Sequence, residues 1–386
     1  MKRLLIPAIA MIAMTTLGAS RTSAQSMDDM NLQVHGYATQ GFLYTNHNNW
    51  GTASSSDGSA AWTEAVVNIS AQPQSRLRAG IQARYSLLGN YGNAITLDWA
   101  QADFKVNDYF GLRAGKVKTP ASLLNDSQDI DPTHLWVLLP QSVYPLASRN
   151  SILAHYGAIA YGSIPLGERF GKVEYHAFGG ANVLGGGDPY FQVLRDAGLS
   201  LPNGITGPMF GATLAWHAPV PGLLVGVSYE RDHPSGEIVA GPLQGTVDNT
   251  GINIPYFFGR YEGKRLMFAG EYSRVPGQST VQFPGLPPFV TQWDVRAFYV
   301  MTSLKISEKL TGGMYYSSVL DRRAAFTSSR YQKDWTLAAR YDFNPFLYLK
   351  LEQHFMDGTE IGFTASTNSN LQPQTRMTLL KLGVSF

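Results

Sequence analysis

With 386 residues, no cysteine and a formal charge of +2, the chain excludes a disulfide scaffold and offers nucleic acid no strongly basic surface. Only 15% of residues are charged, while 39 glycines, 20 tyrosines, 19 phenylalanines and 7 tryptophans give a β-prone, aromatic-rich balance. Residues 1–24 read as a secretory signal: basic Lys2 and Arg3, an apolar run from Leu4 to about Leu17, then Thr22-Ser23-Ala24 with cleavage expected after Ala24. That run is shorter than the roughly 20 residues a spanning helix needs, and no longer apolar run follows. The remaining 25–386 shows no linker at which to divide it.

From there the pattern is alternation with period two. In 77–87 the residues Leu77, Ala79, Ile81, Ala83, Tyr85 and Leu87 share one face, and Arg78, Gly80, Gln82, Arg84 and Ser86 the other. Soluble strands seldom hold such alternation for so long, since most run about 5–6 residues. The same pattern sets Val173, Tyr175 and Ala177 against Lys172, Glu174 and His176. It recurs with Trp335, Leu337, Ala339, Tyr341 and Phe343 against Thr336, Arg340 and Asp342. Near the end, Leu347, Leu349 and Leu351 oppose Lys350, Glu352 and His354, and Leu380, Leu382, Val384 and Phe386 oppose Lys381, Gly383 and Ser385.

Strands are expected at 32–44, 62–71, 77–87, 94–106, 111–118, 152–164, 172–179 and 208–218, then 223–231, 254–261, 266–274, 292–305, 311–319, 335–343, 347–356 and 376–386. In 94–106 Ile95, Leu97 and Trp99 fall out of phase with Ala102, Phe104 and Val106, which a β-bulge would reconcile. Connections alternate short and long, with 88–93 the one short link on the long side. That parity fits an all-β transmembrane antiparallel β-barrel of about 16 strands, with short turns at one rim and longer loops at the other. Aromatic pairs near strand ends, such as Tyr109-Phe110 and Phe346 with Tyr348, suit interfacial girdles.

The connection 119–151 is too long for an ordinary loop and too apolar to be left in water, with Leu123, Leu124, Leu135, Trp136, Val137, Leu138 and Leu139. It also carries Asp126, Asp129, Asp131, His134 and Arg149. The expectation is that this third long-side loop folds inward against basic walls and narrows a hole. The wall cations are Arg78, Arg84, Arg113, Lys116, Lys118, Arg260, Arg296, Arg340 and Lys350, with Lys172 and Lys381. Inward acids are Glu174, Glu230, Glu271, Asp294, Asp342 and Glu352. Opposed charges across a wet constriction make a transverse field and a slight anion preference.

The last nine residues, Thr378 to Phe386, alternate and end in phenylalanine, which resembles the barrel-assembly signal of Gram-negative outer-membrane porins. The inward third loop is similar to that of general porins, and 112–120 with 140–150 faintly resembles porins of the phosphate-selective group. The resemblance implies insertion by the outer-membrane assembly machinery, contact with outer-membrane lipid, and a homotrimer. It implies passive diffusion of small hydrophilic solutes, with a phosphate-type selective channel, an outer-membrane lipid-modifying enzyme and a plugged, non-conducting barrel as rivals. No cofactor or metal is expected. The stretch Asp126-Ser127-Gln128-Asp129-Ile130-Asp131 lacks the glycine and distal glutamate of a calcium loop, and the eight histidines show no ligand spacing. No G-x-S-x-G or convincing Ser/His pair suggests hydrolysis.

Overall fold

The computed structural model describes residues 30–89 and 91–386, so the expected signal at 1–24 lies outside the described residues. Strands run in chain order as β1 (Gln33–Thr45), β2 (Ser59–Gln74), β3 (Leu77–Leu88), β4 (Tyr91–Lys105), β5 (Gly111–Lys118), β6 (Ala154–Gly167), β7 (Gly171–Leu184), β8 (Leu199–Ser200), β9 (Ile205–His217) and β10 (Leu223–Asp232). They continue as β11 (Ser235–Ala240), β12 (Leu243–Thr250), β13 (Ile252–Glu262), β14 (Leu266–Gln282), β15 (Phe289–Lys305), β16 (Leu310–Asp321), β17 (Tyr331–Asp342), β18 (Leu347–Gly358) and β19 (Gln374–Ser385). Sixteen of these form a closed antiparallel wall in which each pairs with its neighbours and β19 returns to β1. They correspond one for one to the sixteen segments expected from alternation.

The seam is held beyond the strands. Gly36 and Phe386 exchange two backbone hydrogen bonds of 3.0 Å, and a Cβ on Gly36 would stand 2.6 Å from the Phe386 ring. Only glycine allows that approach.

Burial is inverted relative to a soluble protein. Leu351 and Leu382 are 48% and 46% exposed, whereas Lys350 and Lys381 between them are at most 2% exposed. Apolar side chains thus form the exterior and charged ones point inward, the arrangement that lets a barrel satisfy every backbone group within a membrane.

The bulge expected in 94–106 is at Asp98. Gln82 pairs with Trp99 and Ala83 with Leu97, so Asp98 has no partner in the ladder. Asp98 and Trp99 are both buried, while Ile95, Leu97 and Phe104 stay exposed. One extra residue thereby corrects the phase.

Three strands do not belong to the wall, and they fall in 180–207 and 232–251, which alternation leaves as loops. β11 and β12 form a hairpin whose turn places Gly241 at φ +57°. The hairpin pairs on one side with β8 and the start of β9, and on the other with the long end of β14. It raises the rim of the barrel on that side.

Candidate functional site

The interior is organised by the segment between β5 and β6. Its neck is tied at Thr119, whose N–H donates to the Leu153 carbonyl and whose hydroxyl bonds His155 Nδ1 at 2.9 Å. The Asn125 amide adds hydrogen bonds to the carbonyls of Thr119, Ile152 and Leu153. A thirty-residue excursion therefore leaves and returns through one closed base.

Beyond the neck the segment bonds to inward side chains around the barrel. Asp129 accepts from Lys118 Nζ at 2.7 Å, Gln82 Nε2 at 2.8 Å and Trp99 Nε1 at 3.1 Å. Asp131 accepts from Lys381 at 2.8 Å, Lys350 at 2.9 Å and the Tyr348 hydroxyl at 2.7 Å. Glu352 takes the backbone N–H groups of Val137 and Leu138 at 2.7 and 3.1 Å. Behind it, His354 lies between Glu352 and Asp334, at 3.1 and 2.8 Å. Arg340 donates to the carbonyls of Pro132 and His134, and its ring of partners is completed by Asp342.

On the β14 side, Tyr144 donates to Glu271 at 2.6 Å, and the Leu123 N–H reaches the same carboxylate at 3.3 Å. The β9 side contributes Thr213, whose hydroxyl donates to the Pro120 carbonyl. On its return the segment forms helix α1 (Arg149–Leu153). Here Arg149 grips Asp98 with two bonds of 2.7 and 2.8 Å. The bulge thus turns inward the carboxylate that Arg149 binds. Paired guanidinium–carboxylate forks of this kind fix orientation as well as charge.

Apolar packing supplies the rest. Leu124, Leu135, Trp136, Val143 and Tyr144 pack on Ala297, Tyr299, Met301 and Tyr315 of the inner wall. Gly313 makes room for them, since a Cβ there would lie 2.6 Å from Leu135.

Burial alone would raise the Asp131 carboxyl, but the Lys350 and Lys381 ammoniums beside it hold it far below the usual carboxylate range. Burial pushes the His134 imidazole down to about 4, with Lys350 adding to the effect and the Ser127 carbonyl opposing it.

Open space remains between the segment and the β1–β3 wall. A cleft there is lined by Trp62, Glu64, Arg84, Asp131, Arg149 and Lys381 among others. A second space lies against β3 and β4 and shares Arg84, Leu146 and Arg149 with the first. Those three residues border both spaces. Arg84 is paired with Glu64 at 2.6 Å, so each cation at the junction already has a carboxylate partner.

The residues singled out in the sequence divide into groups. Asp129, Asp131 and Arg149 are buried and paired, and His134 bonds the Ser127 carbonyl at 2.7 Å. Asp126 is exposed, and its backbone carbonyl, not its carboxylate, accepts from Lys118. Arg78 is exposed and bonds Ser70, Arg113 pairs with Asp103 at 3.0 Å, and Arg260 approaches Glu262 at 3.5 Å. Three residues depart from their expected face. Lys116 pairs in the ladder with Tyr156, which is exposed on the exterior, and its ammonium lies over that ring. Arg296 and Asp294 share the outward face of Phe298 and Val300, while Ala297 and Tyr299 point in. In β15 the reason is that the inner wall opposite Leu135 and Trp136 is itself apolar, and in β5 the inward residue beside Lys116 is the buried Val117, which packs with Ile159 and Phe178, so polarity at these places does not mark the inside.

Glu64, Asp98 and Gln82 were not singled out as site residues. Glu64 alternates in phase with buried Trp62 and Val66, a signal that could have found it. Asp98 was hidden by the bulge.

No family model matches the chain and no curated protein is similar to it in sequence. Solved structures do resemble it. The OmpF complex with daunomycin from Salmonella typhi matches with a TM-score of 0.57 at 11% identity, over 94% of this chain and 99% of that one. The trimer form of OmpT, an outer membrane protein of Vibrio cholerae, gives 0.55 at 12% identity over 92% and 99%. An anion-selective porin from Comamonas acidovorans gives 0.53 at 10% over 92% and 99%. The chain has the closed sixteen-strand fold of Gram-negative outer-membrane porins.

Proposed function

We propose that the chain is an outer-membrane channel through which small hydrophilic solutes and ions diffuse passively, with a weak preference for anions. The observation that carries this reading is the pair of open spaces that both border Arg84, Leu146 and Arg149, between the 119–151 segment and the wall. Segment 119–151 acts as the constriction, and Arg84, Arg149 and Lys381 present cations to the passage. Their nearby carboxylates, Glu64, Asp98 and Asp131, cancel most of that charge. Rings of fixed charge bias ion choice, and a nearly balanced ring biases it weakly. The neighbour solved as a trimer supports a homotrimer, and the alternating apolar residues Leu380, Leu382 and Val384 of β19 support recognition by the assembly machinery.

Planar-bilayer recording tests the proposal. The expected result is conductance that rises in proportion to salt concentration, with a reversal potential displaced modestly toward the anion. Conductance that saturates with anion concentration would replace passive diffusion with a selective anion channel. A silent bilayer containing correctly folded barrels would mean that the segment closes the bore.

A further inference from the structure

The outward placement of Arg296 and Asp294 opens a second question, because charges do not belong on a lipid-facing wall without a partner. Arg274 and Arg296 stand directly opposite each other across β14 and β15. Like charges so placed repel. A single carboxylate serves both: Asp294 takes two bonds from Arg274, at 2.7 and 3.2 Å, and lies 3.8 Å from Arg296. Arg296 Nε is enclosed without a hydrogen-bond partner. Lys333, Arg322 and Arg323 are exposed on the adjoining β17 strand and the end of β16, and Lys333 has one distant carboxylate, Asp357, at 3.8 Å. Asp321 also lies here, its carboxylate accepting from the backbone N–H groups of Asp294 and Arg323 at 3.0 and 2.9 Å, and the five cations still outnumber Asp294, Asp321 and Asp357.

Its position along the wall is fixed by register. Arg296 lies two residues beyond Phe298, a step of about 7 Å along a strand. Phe298 pairs with Ser318, and the rings of Phe298, Tyr316 and Trp335 form a row with centroids 5.8 and 4.8 Å apart. Below that row the exterior is apolar, with Val300 and Leu337 more than half exposed. Aromatic rows on a barrel mark the boundary between hydrocarbon and headgroups. Arginines one step beyond such a row, at the long-loop rim, stand where the phosphates of the outer leaflet lie.

We propose that Arg274, Arg296, Arg322, Arg323 and Lys333 form a cradle that holds the headgroup phosphate of an outer-leaflet lipid, with its acyl chains lying along the aromatic row. This rests on the outer-membrane reading above, but not on the solute path, because the patch is on the other face of the wall. Guanidinium groups bind phosphate through paired, charge-assisted bonds, which suits two opposed arginines that share one carboxylate.

The test compares purified wild-type channel with two variants in detergent micelles containing bis-phosphorylated lipid A, followed by native mass spectrometry of retained lipid and by bilayer conductance. One variant combines Arg274→Gln with Arg296→Gln. The other combines Arg322→Gln, Arg323→Gln and Lys333→Gln and keeps the Arg274–Asp294 pair. Each should retain lipid A about tenfold less than wild type, as expected for lost charge-assisted bonds. Dephosphorylated lipid A should bind wild type no better than the variants, and conductance should be unchanged in all three. Equal retention by all proteins would overturn the proposal. Displacement of the lipid by millimolar inorganic phosphate would make this a free-anion site instead. Loss of oligomers with lipid retention intact would make it a subunit contact. Absent conductance in wild type with lipid A still held would sink the channel reading and leave this one standing.

Discussion

At the residue scale the decisive group is Asp131, the carboxylate that two buried lysines share. Removing one member of a buried ion pair costs about 3–5 kcal/mol because the remaining charge is stranded. Asp131→Asn should therefore loosen the crossing segment, seen as faster proteolysis within 119–151 and a lower melting temperature. Asp126→Asn should do neither, because that carboxylate is exposed. Under the proposed function it should shift the reversal potential toward the anion, and an unchanged potential would place Asp126 away from the narrow part of the path. His134 adds a pH dependence with a definite sign. Its folded pKa of about 4 lies below the ordinary imidazole value, so the unfolded segment binds a proton that the folded one rejects. The packed state is favoured fully above the ordinary value and loses stability as pH falls toward 4. Asp131 makes no such contribution in that window, since its carboxyl titrates lower still. Proteolytic protection of the segment should decline over this range in wild type and decline less steeply in His134→Gln, and equal slopes would overturn the assignment to His134.

At the element scale the crossing segment is held at two places by different chemistry: carboxylates meeting lysines near its middle, and Arg149 meeting the bulged Asp98 on its return. Arg149→Met keeps bulk while removing the fork. It should raise single-channel conductance and open-channel noise, and unchanged conductance would mean that Arg149 does not border the passage. The elements also show what alternation can and cannot reveal. Wall strands such as β18 were legible because lipid on one side and water or buried charge on the other impose opposite demands on successive residues. β11 and β12 were not, since beyond the membrane neither demand applies. In β15 the rule gave the wrong face for Asp294 and Arg296, because Leu135 and Trp136 cover the inner wall and make it as apolar as the outer one. Lys350 and the segment's acidic residues were legible as candidates. Their pairing through Asp131 was not, because it depends on where a non-repeating chain folds.

At the scale of the whole molecule the inversion of burial governs stability. Leu351→Arg places a charge on the exterior, which costs about 2–4 kcal/mol near the membrane midplane. The variant should refold into lipid vesicles with a correspondingly lower unfolding midpoint, and an unaltered midpoint would argue that Leu351 does not face lipid. The Gly36–Phe386 seam is equally global, because until β19 meets β1 both strands keep unpaired edges.

The many ties of segment 119–151 to β3, β9, β14 and β17–β19 give the tube an internal strut. A thin hoop without one flattens easily when squeezed from the side, and its bore changes with the squeeze. Under the proposed function, the strut's length rather than the hoop's stiffness sets the width of the aperture. Stretching or thinning the surrounding bilayer should therefore leave the current through a single open channel nearly constant, and cutting the strut at Asp131 should make that current sensitive to tension.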